Sequence, residues 1–201
     1  MEIQNEKNYW LEESMKFKKG AIRALKTFRT KKTYKEENKS KRLKAMVKLI
    51  EDLSFTYEVE PPNVVFNEDP VSQTGSLDSH VICAPDNEQK TIVIRGKLSI
   101  ITLLHEFAHV IGRDQQRAVR WSLNLFQRVY PKQYDKLFIV RGIAFTTEEQ
   151  AREFILYSNE RTDSILRELG GLGRPRNKVG SRRRIVINTR PLDPWRLIPG
   201  Y

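Results

Sequence analysis

His105-Glu106-Phe107-Ala108-His109 decides the reading of this chain. Two histidines four apart lie one above the other on a helix face, so both imidazoles can meet one metal ion. Glu106 is turned about 100° from His105 by helix geometry, which lets it hold a water without being a ligand. The stretch before the motif supplies its context. Thr91-Ile92-Val93-Ile94-Arg95 predicts a β-branched strand, Gly96-Lys97 a break, and Ser99 an N-cap for a helix that runs through Ile100, Ile101, Leu103 and Leu104 to a stop at Gly112. That helix is apolar on nearly every side, so it is expected to be buried. Buried imidazole and carboxylate groups need partners, and a zinc ion is the partner this spacing suits. The competing reading is a pair of hydrogen-bonded core histidines with Glu106 capping a neighbour.

Working outward, His80-Val81-Ile82-Cys83-Ala84 is expected to pair with residues 91 to 95 as a hairpin, through a turn at Asp86-Asn87-Glu88. Tyr57 to Glu60 and Val64 to Phe66 are further strand candidates, separated by Pro61-Pro62 and followed by the breaker Glu68-Asp69-Pro70. Ser72 to Ser79 reads as a loop. Upstream, Leu11, Met15, Ile22 and Leu25 mark a first helix weakened at Gly20. Leu43, Met46, Val47, Ile50 and Leu53 mark a second, from about Lys39 to Leu53. Downstream, Ala118, Trp121, Ser122 and Leu125 lie on one face of another helix, and Thr147 to Leu169 predicts a long helix closed by Gly170-Gly171. The expected fold class is α+β, a small sheet packed on the motif helix with additional N-terminal and C-terminal helices. The expected organisation is a basic helical segment over 1–54, a central domain over 55–170 and a basic flexible tail over 171–201.

His105-Glu-Phe-Ala-His109-Val-Ile-Gly112-Arg-Asp-Gln115 resembles the opening of the metzincin signature, in which a glycine turns the chain back towards the metal. Where that family places a third histidine or aspartate, this chain has Gln115. The arrangement also resembles the minimal zincins, including the repressor-cleaving proteases of mobile elements, which carry an acidic third ligand on the helix after the motif. The resemblance covers roughly residues 80 to 130. It implies a zinc-binding, minimal zincin-like domain with His105 and His109 as ligands, Glu106 as general base, and an acidic third ligand. Asp114 is the nearest carboxylate and the first choice, with an N-cap as its other possible role. Glu148 and Glu149 are rivals, set against a capping box with Thr146 or Thr147. His80 comes last for zinc and is kept for substrate contact. An oxyanion donor is not marked by the motif, although Arg113, Arg141 and Tyr134 are available.

At 201 residues and 39% apolar, the chain is long enough to bury a sizeable core. Its single cysteine, Cys83, excludes an internal disulfide. No basic-then-apolar leader opens it and no apolar run approaches the roughly 18 residues of a membrane span, so a soluble, cytoplasmic protein with no membrane partner is expected. The net charge of +11 is unevenly distributed: residues 14 to 48 hold fourteen Lys or Arg against Glu36 and Glu37 alone. Arg174, Arg176, Lys178, Arg182, Arg183, Arg184 and Arg190 form a second basic stretch with no acidic residue between 172 and 190. An acidic centre flanked by basic arms suggests arms that meet DNA or RNA while the centre does the chemistry, with Arg174 to Arg184 as the contact residues. The function expected is thus an intracellular zinc metallopeptidase acting on a protein or peptide. The alternative is a non-catalytic nucleic-acid-binding or structural protein on a degenerate zincin domain, and a toxin or repressor-cleaving factor follows from the resemblance alone.

Overall fold

The computed structural model describes residues 4–30, 38–67, 80–83, 90–95 and 98–158. The C-terminal basic residues and the helix end expected at Gly170 lie outside these. The fold is mixed helix and strand, compatible with α+β: α1 (Lys7–Trp10), α2 (Lys19–Thr30), α3 (Lys39–Tyr57), β1 (Asn63–Asn67), β2 (His80–Cys83), β3 (Lys90–Arg95), α4 (Ile100–Val110), α5 (Gln115–Val129), α6 (Pro131–Tyr134), β4 (Phe138–Val140) and β5 (Ile143–Phe145). Residues 148–158 are helical as well.

The expected antiparallel pairing is present, while the turn expected at Asp86-Asn87-Glu88 lies outside the described residues. β2 runs antiparallel to β3, with His80 opposite Val93 and Cys83 opposite Lys90. β1 joins the other side of β3 in parallel, giving the order β1-β3-β2. Alternation along β3 buries Ile92 and Ile94 fully, and these belong to the same apolar core as Leu103, Leu104 and Phe107 of α4. Tyr57 to Glu60 is not a strand. α3 continues to Tyr57 and ends with Glu58 in the left-handed region at φ 58°, its N–H donating to Phe55 and Ser54 carbonyls.

α2 and α3 place Ala21, Leu25, Met46, Ile50 and Leu53 in the core that holds α4 and α5, and residues 1–158 form one compact unit. The two lysine-rich helices expected from their periodicity are amphipathic, with their apolar stripes buried. The first helix is also interrupted. Residues 11–18 leave helical form because Asn124 on α5 offers better partners: its Oδ1 accepts from Glu12 N at 2.8 Å and its Nδ2 donates to Trp10 O at 2.9 Å.

β4 and β5 form a hairpin that the periodicity did not announce. Its two-residue turn, Arg141-Gly142, has both φ values positive, at 52° and 77°, which is the backbone of a type I′ turn. Gly142 also lies where a Cβ would come within 2.9 Å of Val119 Cγ1. Among the described residues no helix is long and apolar enough to cross a membrane.

Candidate metal centre

α4 carries the motif and is fixed at both ends. Ser99 Oγ accepts from Thr102 N at 3.3 Å as the N-cap. At the other end Gly112, at φ +81°, closes a Schellman turn: Gly112 N donates to His109 O at 2.9 Å and Arg113 N to Ala108 O at 3.0 Å. Lys90 on β3 adds a cation there, its Nζ donating to Val110 O at 2.8 Å. Phe107 packs edge-on against Tyr57 and at a tilt against Trp121, so α4 is wedged between α3 and α5.

The turn at Gly112 does more than end the helix. It brings Arg113 O back to 2.9 Å from His109 Nδ1. A carbonyl only accepts, so Nδ1 of the neutral ring carries the proton and Nε2 is left with its lone pair. That lone pair faces His105 Nε2 at 3.2 Å and Gln115 Oε1 at 3.1 Å. His109 Nε2 can then accept from an Nε2–H of His105 or from the Gln115 amide, and the same lone pair would suit a cation. Donors at 2.0–2.1 Å from a tetrahedral zinc stand about 3.3 Å from one another. The separations of His105 Nε2 and Gln115 Oε1 from His109 Nε2 lie close to this value and equally within hydrogen-bond range, so these residues could hold the ion or one another.

The donor set differs from the one expected. Among the described residues no group of three or more His, Cys, Asp or Glu side chains is placed to hold a metal. The side chain that meets the imidazole pair is instead the amide of Gln115. Asp114 is the N-cap of α5, its Oδ1 accepting from Arg117 N at 2.8 Å and its Oδ2 facing Arg117 Nε at 3.4 Å. It took the capping role, and its exposed carboxylate is not among the groups that meet the imidazoles. Glu148 is exposed and paired with Arg152 at 2.6 Å. Glu149 is exposed in the same turn, which Thr147 Oγ1 caps by accepting from Gln150 N at 3.2 Å. His80 is placed on β2 by its backbone register alone.

Glu106 is 4% exposed, the one charged side chain among the buried polar groups of the described residues. Of the candidate oxyanion donors, Tyr134 is engaged elsewhere: its hydroxyl donates to Lys7 O at 3.2 Å, and burial pushes it up to about 12. Arg113 lies over the Trp121 ring at 5.8 Å, and Arg141 Nη1 donates to Ser158 Oγ at 3.0 Å.

Desolvation, aided by the electrostatic effect of the neighbouring His109 and opposed by a hydrogen bond to Gln115, lowers His105 from 6.5 to about 4. A ring that stays neutral is ready to bind metal at mildly acid pH. In the metal-free chain the same shift is a stability term. Above pH 6.5 folded and unfolded chains both hold the ring neutral; as pH falls from 6.5 towards 4 the unfolded chain takes up a proton that the folded one refuses. Stability should therefore drop by up to roughly 3 kcal/mol across that window. Urea unfolding of the apoprotein at pH 7 and at pH 4 should show the loss, and His105→Gln should reduce it; the same pH dependence in that variant would assign the loss to other groups.

Comparison with known proteins gives no match: no family model, no curated protein and no solved structure is significantly similar to the chain.

Proposed function

We propose that this chain is an intracellular zinc-dependent metallopeptidase that hydrolyses a protein or peptide substrate. The observation that carries the proposal is the pairing of His105 Nε2 and His109 Nε2 at 3.2 Å, with Gln115 Oε1 3.1 Å from the latter, beside a buried glutamate in a His-Glu-x-x-His pattern. His105, His109 and Gln115 would hold the ion, with the Arg113 carbonyl fixing the tautomer of His109. When bound, zinc supplies the Lewis acid that activates a water and polarises the scissile carbonyl. The Glu106 carboxylate takes the proton from the attacking water as the carbon–oxygen bond forms. It then delivers that proton to the amine nitrogen as the carbon–nitrogen bond breaks. The minimal zincin resemblance of residues 80 to 130 supports the roles of His105, Glu106 and His109, but it implies an acidic third ligand where this chain offers Gln115.

A second reading, a non-catalytic protein on the same scaffold, is favoured by one observation. An amide oxygen is neutral and a poorer donor for zinc than imidazole or carboxylate. The two readings separate on a mixture of peptides incubated with the zinc-loaded chain. Cleavage that stops on chelation and returns with added zinc supports the enzyme; a chain that holds one zinc and leaves every peptide intact supports the scaffold.

A further inference from the structure

Lys48 of α3 and the cations of α2 are placed differently. On α3, Lys48 sits 3.0 Å from Glu51 and 3.3 Å from Asp52, so its charge is matched within one turn. α2, with the sequence KGAIRALKTFRT, has no acidic residue. Its Ala21, Ala24, Leu25 and Phe28 are buried, and the opposite side exposes Lys19, Arg23, Lys26, Thr27 and Thr30. These five, with Ile22, line an open groove of about 400 Å³. Among the described residues, none of Lys19, Arg23 and Lys26 has an ion pair or a hydrogen-bonded side-chain partner. Arg29, by contrast, is committed to the fold, donating to Val129 O at 2.6 Å and lying over Tyr130. Like charges three and four apart on a helix repel, so an unrelieved row of three is destabilising unless something anionic covers it.

We propose that this face of α2 is a binding site for the phosphate backbone of a nucleic acid. It stands independently of whether the metal centre is catalytic. A helix rises 1.5 Å per residue, so Lys19, Arg23 and Lys26 follow one another at about 6 and 4.5 Å, comparable with one to two steps of about 3.4 Å along a nucleic-acid strand. Thr27 and Thr30 add hydroxyls of the kind that bond phosphate oxygens without reading sequence. The face is held in place, because at Gly20 a Cβ would come within 2.5 Å of Thr56 Oγ1, so α2 lies close against α3. An anionic membrane suits it less: an interfacial helix must bury its apolar face in lipid, and that face of α2 is already in the protein core.

The test uses the full chain and a fluorescent DNA duplex of about 20 bp, titrated from about 50 to 200 mM salt. Three released contacts in Lys19→Ala/Arg23→Ala/Lys26→Ala should reduce the slope of log K against log salt by about 2 to 3. Lys48→Ala, which removes a matched cation, should leave the slope unchanged. An unaltered slope in the triple variant overturns the site, as does an equal change in Lys48→Ala. Binding to phosphatidylserine vesicles that exceeds binding to the duplex and is lost in the same triple variant would also overturn it, in favour of a lipid surface.

Discussion

Replacing His109 by alanine should strip the chain of zinc. Loss of a group that merely orients a ligand costs about 10- to 100-fold in metal affinity, and His109 is placed to be a ligand held by such a group, the Arg113 carbonyl. Its removal should therefore weaken binding by more than about 100-fold, read by elemental analysis of the zinc-supplied protein and by competition with a chelator. Two companion variants separate the donors. Gln115→Ala should lower affinity because it removes the oxygen 3.1 Å from His109 Nε2. Asp114→Ala should keep the metal and lose about 1 kcal/mol of stability, since that side chain caps α5. Zinc lost from Asp114→Ala but retained in Gln115→Ala would reverse the assignment.

Glu106→Gln should lower turnover by about 10²- to 10⁴-fold, the range typical of a general base. The substitution conserves shape and removes a buried charge, so fold and zinc content should be retained. Those two readings make the experiment specific: a slow enzyme with a full complement of metal has lost proton transfer, whereas one that has also lost metal has lost its site. Undiminished turnover would take Glu106 out of the mechanism.

What could be read from sequence followed the range of the interactions involved. The β2–β3 hairpin, the Ser99 cap and the stop at Gly112 are set by neighbours in the chain, and periodicity with turn residues announced all three. β1 was legible as a strand but its parallel pairing with β3 was not, since nothing local specifies a distant partner. The β4–β5 turn escaped because arginine at positive φ is an uncommon first residue for it. Within the site, His105, Glu106 and His109 follow from spacing alone. That Gln115 and not Asp114 meets His109 depends on the phase of α5. Asp114 has the better ligand chemistry, but it falls at the position that caps the helix, and the next residue is the one that comes round to the imidazoles.

The Schellman turn at Gly112 has a kinetic consequence. Among the described residues, the side chains that meet His109 come from eleven consecutive residues, His105 to Gln115. Bringing them together closes only a short loop, with a small entropic cost, and contacts of such low sequence separation form early in folding. Two helical turns and one reversal of direction are enough to assemble the ligands, whether or not β1 has yet found β3. Zinc captured at that moment would hold the α4–α5 corner together while the longer-range parts of the core condense around it.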